Sequence, residues 1–425
     1  MRALLLSIMT LGVLAGVCIP ASAWKQDDFI ITFWCPPPAT DENLVRAASE
    51  GYNLTSAPVD GLDVAARHKL RVWLQDGLLV PSSLDDPAQR AKLEALIRKV
   101  KTHPALEGYY ITDEPGSGAF PGLGRLSEFI KKLDPRHLVY INLFPTYANE
   151  QQLGVSADEA ERQKVGIPLN FAGVGDYKKT ILAYKEHLRQ YVEIVKPELI
   201  SYDHYHFLKN GVDGAQYFLN LGLIRESAQS AGVPFLNIIQ ASTIEPSWRL
   251  VNKNELQWLV NTTLAYGGKG ISYFLYWGPV AYGGLYQDGK QTPLALDVAD
   301  INSGLALIGR EMMKLKSTAV YHTDPIPVGG TAIPSDSPIR IIGGGQYVLG
   351  LFSRSGLQDT FMVVNRDYKH ESTARIVISD GVTRLKEFNK QTGRWKDCSS
   401  LVDEGSITID ISPGDGRLFR IFQVK

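Results

Sequence analysis

Residues 108–116 read Gly-Tyr-Tyr-Ile-Thr-Asp-Glu-Pro-Gly, and the rest of the chain is organised around them. Their first half is aromatic and β-branched, which favours a buried strand, and Pro115 with Gly116 ends it. Two carboxylates, Asp113 and Glu114, therefore follow an apolar strand, where ionised groups are costly to desolvate. Because ligands of parallel α/β proteins bind beyond the carboxyl ends of the strands, the run predicts a functional site as well as a strand.

Seven other apolar runs of strand length precede the last quarter of the chain, and segments of helical period separate them. One helix is signalled at its start by Asp86 as cap and Pro87 as first residue. The eight strands are predicted at residues 29–34, 52–57, 70–74, 109–113, 138–143, 199–202, 235–239 and 271–276. Strand and helix alternate eight times, which predicts a (β/α)8 TIM barrel, with a doubly wound open sheet as the alternative that periodicity leaves open.

From about residue 321 the pattern changes to short alternating runs separated by Gly, Asp, Asn and Pro. This texture predicts an antiparallel β-sandwich of roughly a hundred residues. The expected division is a barrel over residues 24–318 and a C-terminal accessory sandwich over residues 319–425.

The first 23 residues have the composition of a cleaved signal peptide. A short positive region, an apolar core over residues 4–17 and Ala-Ser-Ala at 21–23 predict cleavage before Trp24 and a secreted or periplasmic protein. Cys35 and Cys398 then lie in an oxidising compartment, either paired or free.

The composition of the whole chain excludes some function classes. A chain of 425 residues, 44% hydrophobic and 21% charged, can bury a large core. Its net charge of -1 gives no electrostatic footprint for nucleic acid, and no later run is apolar enough for a membrane span.

Two carboxylates flanking a bond are the minimal apparatus for glycoside hydrolysis, since one protonates the leaving oxygen and the other attacks or activates water. Glu114 is the candidate acid, and Asp113, on the opposite face of an extended strand, is expected to bind substrate or orient Glu114. The alternative is that Asp-Glu-Pro-Gly has no catalytic role and forms a solvent-exposed turn. Carboxyl groups about 5 Å apart indicate a retaining reaction, and about 6.5 to 9.5 Å an inverting one.

The segment Tyr-Ile-Thr-Asp-Glu-Pro at 110–115 resembles the Asn-Glu-Pro strand end of the clan A glycoside hydrolases, (β/α)8 enzymes that include the family 42 β-galactosidases. The resemblance implies that Glu114 is the general acid/base, with Asp113 where those enzymes have Asn. Tyr276 and Trp277 are similar to their aromatic sugar platform, and residues 413–419 to the closing strand of their accessory domain.

The second carboxylate departs from that family pattern. The resemblance implies a nucleophilic Glu at the end of the seventh strand, where this chain has Gln240, and an amide cannot form a glycosyl ester. Three interpretations follow: Asp203 after the sixth strand acts as a base on water, Glu245 supplies the carboxylate, or the site only binds. Asp203 is preferred because it ends a strand on the same rim as Glu114.

Side chains at predicted strand ends fit a carbohydrate site, since sugar C–H faces pack on rings and hydroxyls bond to polar groups. Many aromatics serve core packing instead. The predicted substrate-binding residues are Asp113, Trp34, Asn142, Tyr202, Tyr205, Gln240, Tyr276 and Trp277.

The sequence thus predicts a secreted glycoside hydrolase that acts on an oligo- or polysaccharide without a cofactor. One rival is a non-catalytic carbohydrate-binding protein, which Gln240 favours. The other is a metal-dependent hydrolase that uses His204 and His206, although no further cluster with ligand spacing accompanies them.

Overall fold

The computed structural model describes residues 23–167, 171–378 and 382–423, so the predicted signal peptide lies outside the described residues except for Ala23. Among those residues, none of the helices combines the length and the apolar character needed to cross a bilayer.

Eight parallel strands form the barrel. They are β1 Ile30–Phe33, β2 Leu54–Ala57, β3 Arg71–Leu74, β4 Leu106–Asp113, β5 Leu138–Leu143, β6 Ile200–His204, β7 Phe235–Gln240 and β8 Gly270–Phe274. The strand order is β1-β8-β7-β6-β5-β4-β3-β2. The pairing of β8 with β1 turns the sheet back on itself, which confirms the predicted barrel and excludes the open sheet.

Side-chain hydrogen bonds join β1 to β2, where the barrel closes. Asn53, just before β2, accepts a hydrogen bond from Ile31 N at 2.9 Å and donates to Phe29 O at 2.8 Å. Its own backbone N–H donates to Ile31 O at 3.0 Å. An asparagine amide therefore supplies hydrogen bonds of the kind that a neighbouring strand would provide.

The helices follow the strands and cover the outside of the barrel. They are α1 Asp41–Ser49, α2 Gly61–Arg67, α3 Pro87–Val100, α4 Phe120–Leu133, α5 Glu150–Leu153, α6 Ala157–Arg162, α7 Lys178–Gln190, α8 Tyr217–Ala231, α9 Lys253–Ala265 and α10 Pro293–Met312. The predicted cap of α3 is confirmed, since Asp86 accepts from the backbone of Ala88 and Gln89 at 2.7 and 3.2 Å. Two of the short helices, α5 and α6, lie within the long loop after β5.

A small three-stranded sheet lies in the loop between β8 and α10, built from β9 Trp277–Gly278, β10 Tyr286–Gln287 and β11 Lys290–Gln291. The later strands are β12 Lys316–His322, β13 Ile339–Ile342, β14 Tyr347–Arg354, β15 Leu357–Asn365, β16 Ser372–Ile378, β17 Val382–Asn389, β18 Arg394–Asp397, β19 Ser406–Ile411 and β20 Gly416–Gln423. A six-stranded sheet, β12-β14-β15-β20-β17-β18, faces the three-stranded sheet β13-β16-β19 across a shared apolar core. This is the predicted antiparallel sandwich.

Helix α9 joins the sandwich to the barrel. Trp258 donates its indole N–H to Arg366 O at 2.9 Å, and Asn261 donates to Gly414 O at 3.1 Å. Cys35 and Cys398 are free: Cys35 follows β1 at the barrel rim, and Cys398 is buried in the sandwich. Through these contacts of α9, the sandwich lies against the wall of the barrel that β6, β7 and their helices build.

Candidate active site

Glu114 reaches the barrel mouth because β4 is not a regular strand at its end. Tyr110 lies opposite Tyr140 and Asp113 opposite Asn142, so three steps on β4 match two on β5. This bulge puts Asp113 level with Asn142, and Glu114 then turns at a φ of 43°. The predicted placement of the two carboxylates on opposite faces is therefore wrong, because it assumed an extended strand.

Asn142 holds two carboxylates with one amide. Its Nδ2 donates to Asp113 Oδ1 at 3.0 Å and to Asp203 Oδ1 at 2.9 Å. Its Oδ1 accepts from Ser201 Oγ at 3.0 Å, and Ser201 in turn contacts Tyr140 Oη at 2.9 Å. The side chains at the ends of β4, β5 and β6 thus form one hydrogen-bonded network.

A side-chain hydrogen bond between Glu114 and Asp203 contributes to both pKa values: it lowers that of Glu114 and raises that of Asp203, so Asp203 is the donor. Burial raises the pKa of Glu114 to about 7, with the charge of Asp113 adding to the effect and the bond to Asp203 opposing it. Burial, followed by the charge of Glu114, also raises the pKa of Asp203 well above its usual range. Since two ionised carboxylates cannot donate to each other, the pair keeps a proton at neutral pH.

The direct contact also bears on the reaction route. Carboxyl groups that share a hydrogen bond are closer than the separation of about 5 Å in retaining enzymes or about 6.5 to 9.5 Å in inverting ones. Substrate must therefore separate Glu114 from Asp203 before either geometry is reached.

An aromatic wall stands beside the carboxyl pair on the side of β6 to β8. The ring of Tyr205 lies 4.5 Å from that of Trp248 and 5.2 Å from that of Phe274. Its backbone N–H contacts Tyr147 Oη at 3.4 Å, and Tyr147 is exposed. Burial, together with the nearby charge of Asp203, raises the pKa of the Tyr205 hydroxyl. Tyr205 therefore lies close to the carboxyl pair, and its contact with substrate stays a prediction.

A cavity of about 180 Å³ opens on the side of the carboxyl pair away from the aromatic wall, and it is lined by residues on or just after β1 to β5. Burial and the charge of Asp113 raise the pKa values of the Cys35 thiol and the Tyr110 hydroxyl, which places both beside that carboxylate. The lining residues are Phe33, Trp34, Cys35, Pro36, Ser56, Trp73, Gln75, Tyr110 and Tyr140.

Gln240 ends β7, but its amide is occupied by the backbone. Nε2 donates to Phe207 O at 3.0 Å and to Arg249 O at 2.6 Å, while Oε1 accepts from Phe207 N at 2.9 Å. The side chain is completely buried. The Gln240 side chain therefore links the loop after β6 to the loop after β7.

Three predicted aromatic residues lie away from the carboxyl pair. Tyr202 is buried among helix residues, on the face of β6 opposite to Asp203. Tyr276 stacks on Phe33 at 4.1 Å and donates to Glu50 at 2.9 Å, and Trp277 stacks on Tyr286 at 6.0 Å. The chain leaves the strand geometry at Phe274, so it is Phe274 that approaches Tyr205.

Glu245 and Asp203 differ sharply in environment. The Glu245 side chain is 73% exposed and pairs with Lys209 at 2.5 Å. Asp203 is buried and contacts both Asn142 and Glu114. Asp203 is thus the alternative that the structure joins to Glu114.

His204 and His206 have partners within the protein. His204 Nδ1 contacts Asn220 Oδ1 at 2.8 Å, and the His206 ring stacks on Trp258 at 4.7 Å. Burial lowers both pKa values to about 3. Within residues 23–167, 171–378 and 382–423, no three His, Cys, Asp or Glu side chains are grouped so that they could hold a metal ion.

Sequence reasoning missed Ser201, Tyr140, Tyr110 and Trp73. Ser201 lies two positions before Asp203, and Tyr140 two positions before Asn142. Because successive side chains of a strand alternate between faces, counting back in twos from the predicted site would have found both.

Comparisons with known proteins inform the fold. No protein-family model matches the chain, and no curated protein matches its sequence. A solved glycoside hydrolase family 5 protein from Bacteroides vulgatus is similar, with a TM-score of 0.52 and 12% identity over 93% of this chain and 89% of that one. Gan42B, a GH42 β-galactosidase from G. stearothermophilus, gives 0.51 and 9% over 94% and 99%. At such identities the likeness shows the fold alone: the chain shares the barrel fold of these two structures.

Proposed function

We propose that the protein is a secreted glycoside hydrolase in which Glu114 is the general acid and Asp203 the general base. The observation that supports this most is the hydrogen-bonded Glu114–Asp203 pair at the carboxyl ends of β4 and β6, with the pKa of Glu114 raised to about 7. A carboxylic acid with a pKa near the working pH is suited to give up and take back a proton.

The reaction would begin when a glycosidic oxygen enters between the two carboxyl groups and the proton that Asp203 donates to Glu114 in the free protein passes to Glu114. Glu114 then protonates this oxygen as the bond to the anomeric carbon breaks. Water, deprotonated by Asp203, forms the new bond at that carbon. Asn142 supports the ionised form of Asp203 by donating to Oδ1 at 2.9 Å.

The free site is restored when product leaves. After the reaction Glu114 is ionised and Asp203 is protonated, which is the state in which Asp203 donates to Glu114. The cycle would therefore end with the proton where it began.

Turnover of aryl and alkyl glycosides tests the proposal. Glu114→Gln and Asp203→Asn are each expected to lower kcat on alkyl glycosides at least about 100-fold, the usual loss when a general acid or base is removed. Dinitrophenyl glycosides should largely rescue Glu114→Gln, because their leaving group needs no proton, and should not rescue Asp203→Asn.

Glu245→Gln is the matched control, since it removes the other candidate carboxylate. It should keep wild-type turnover. A loss in Glu245→Gln together with normal turnover in Asp203→Asn would transfer the role of base to Glu245.

A carbohydrate-binding protein without turnover is the second candidate. It is favoured by the end of β7, where Gln240 offers an amide and not a carboxylate. Wild-type protein that binds sugars but hydrolyses none of a broad glycoside panel would establish this alternative.

A further inference from the structure

The cavity beside Asp113 is too small for a long ligand. Its volume is about 180 Å³, below the roughly 300–1,000 Å³ of pockets that enclose drug-sized molecules. It adjoins the carboxyl network through Asp113, which is hydrogen-bonded to Asn142 and through it connected to Asp203. A group seated there would therefore lie next to the proposed reacting bond.

Aromatic rings supply most of the cavity wall. Trp34 meets Tyr110 edge-on at 5.6 Å, and Trp73 stacks on Tyr140 at 3.8 Å. Because each of these rings is packed against another, the wall is preformed before ligand arrives. Flat apolar faces of this kind match the C–H faces of a sugar ring.

Hydrogen-bonding groups lie among these rings. Ser56 and Gln75 line the cavity with a hydroxyl and an amide. The indole N–H of Trp73, which is 3% exposed, has no hydrogen-bond partner in the protein. A buried donor without a partner is unusual in a folded protein, and a ligand hydroxyl would satisfy it.

The charge around the cavity selects against an acidic ligand. None of the lining residues is Arg, Lys or His, and Asp113 is the charged group that acts on Cys35 and Tyr110. A carboxylate in the cavity would lose its hydration, find no cation and meet a like charge.

We propose that this cavity is a subsite for one neutral sugar ring. This proposal rests on the proposed glycosidase function. The ring lies against Trp34 and Trp73, its hydroxyls bond to Gln75, Ser56 and the Trp73 indole, and uronic acids are excluded. The substrates of the enzyme are then neutral glycosides.

Calorimetric titration of Glu114→Gln protein tests this subsite without turnover. The probes are the methyl glycosides of glucose, galactose, mannose and xylose, with methyl glucuronoside and methyl galacturonoside as acidic counterparts. At least one neutral glycoside should bind at least tenfold more tightly than its acidic counterpart. Trp34→Ala in the same background should weaken this binding at least tenfold.

Two controls locate the effect. Trp395→Ala removes a partly buried tryptophan from the sandwich and should leave binding unchanged. Gln75→Ala removes only a polar contact and gives a second test of the cavity if Trp34→Ala does not fold. In addition, bound neutral sugar should slow alkylation of the Cys35 thiol, which lines the cavity.

The subsite is refuted if no neutral glycoside binds, if acidic sugars bind as well as neutral ones, or if the folded cavity variants bind as tightly as their parent. Binding with these properties in a wild-type protein that hydrolyses nothing would leave the subsite standing and refute the proposed hydrolase. Turnover that responds to Glu114→Gln but occurs only on acidic glycosides would refute the subsite and leave the proposed hydrolase standing.

Discussion

Asp113 affects the proposed acid without touching the bond to be cleaved. Its carboxylate is held by Asn142, and its negative charge adds to burial in raising the pKa of Glu114. A general acid must be protonated to act, so the rate should fall as pH rises through the pKa of Glu114, about 7. If Glu114 is the acid, Asp113 is therefore expected to help set the alkaline limit of activity.

Asp113→Asn should shift that limit. A neutral amide removes the repulsion that disfavours ionised Glu114, so the pKa of Glu114 falls and the alkaline limb of kcat/KM moves to lower pH. The pH profile on one neutral glycoside measures this, and the position of the limb is the readout whatever the change in maximal rate.

Asp60→Asn is the matched control, because it makes the same change at an exposed residue with no side-chain capping bond. Its profile should coincide with that of the wild type. An alkaline limb that stays in place in Asp113→Asn would show that Asp113 does not act on Glu114.

Glu114, Asp203 and Asn142 could be predicted as site residues from the sequence, because each follows an apolar run at a predicted strand end. The placement of Asp113 could not be foreseen, since a bulge of one residue depends on how β4 registers with β5. The hydrogen bonds of Gln240 could not be predicted for a related reason: its amide partners, Phe207 and Arg249, belong to loops whose path the sequence does not reveal.

At the level of elements, the loops after β6 and β7 are joined to each other. Lys209 N donates to Ser247 O at 3.2 Å, and Arg249 N to Phe207 O at 3.0 Å. The sandwich supports this pair of loops, since the loop between β15 and β16 places the ring of Tyr368 5.2 Å from that of Phe207. The loop that begins beside Asp203 thus has a partner in the other domain.

Tyr368→Phe isolates one bond of this support. The Tyr368 hydroxyl donates to both oxygens of Asp213 at 2.9 and 2.7 Å, and phenylalanine keeps the packing without the bond. Hydrogen bonds to charged groups contribute about 1.5–3 kcal/mol, so amides of residues 205–214 should exchange at least about tenfold faster. Hydrogen–deuterium exchange with mass spectrometry measures the change.

Tyr347→Phe removes a comparable hydroxyl, which bonds to Ser372 within the sandwich at 2.5 Å. Exchange in residues 205–214 should then match the wild type. Equal exchange of this loop in both variants would mean that Tyr368 does not support it.

For the molecule as a whole, the eight apolar runs predicted the barrel because parallel strands covered on both faces are apolar almost throughout. The alternating runs near the C-terminus likewise predicted the sandwich. The sequence did not reveal how the two are joined, because the contacts of Trp258 with Arg366 and of Asn261 with Gly414 link residues more than a hundred positions apart.

Trp24 closes the base of the barrel, the end opposite to the carboxyl pair. Its indole packs on the barrel interior and donates to Glu107 at 3.0 Å, while its backbone N–H donates to Pro135 O at 2.8 Å. Trp24→Ala should lower the free energy of unfolding by about 1–3 kcal/mol through lost burial and one lost hydrogen bond. Urea denaturation measures it.

Trp24→Phe keeps an aromatic ring and loses only the indole bond, while Glu107 retains its pairing with Arg71 at 3.0 Å. Its loss of stability should be smaller than that of Trp24→Ala. If Trp24→Ala unfolds at the urea concentration of the wild type, Trp24 contributes nothing to closing the barrel.

The titration of the Glu114 carboxyl tests most directly whether Glu114 can hold a proton near neutral pH, as the proposed acid must. Carbon NMR of protein labelled at the glutamate carboxyl, with Glu114→Gln to identify the signal, follows its ionisation. We expect a midpoint near pH 7. A midpoint near 4.5, the ordinary value for glutamate, would contradict the raised pKa of Glu114 and with it the proposed acid.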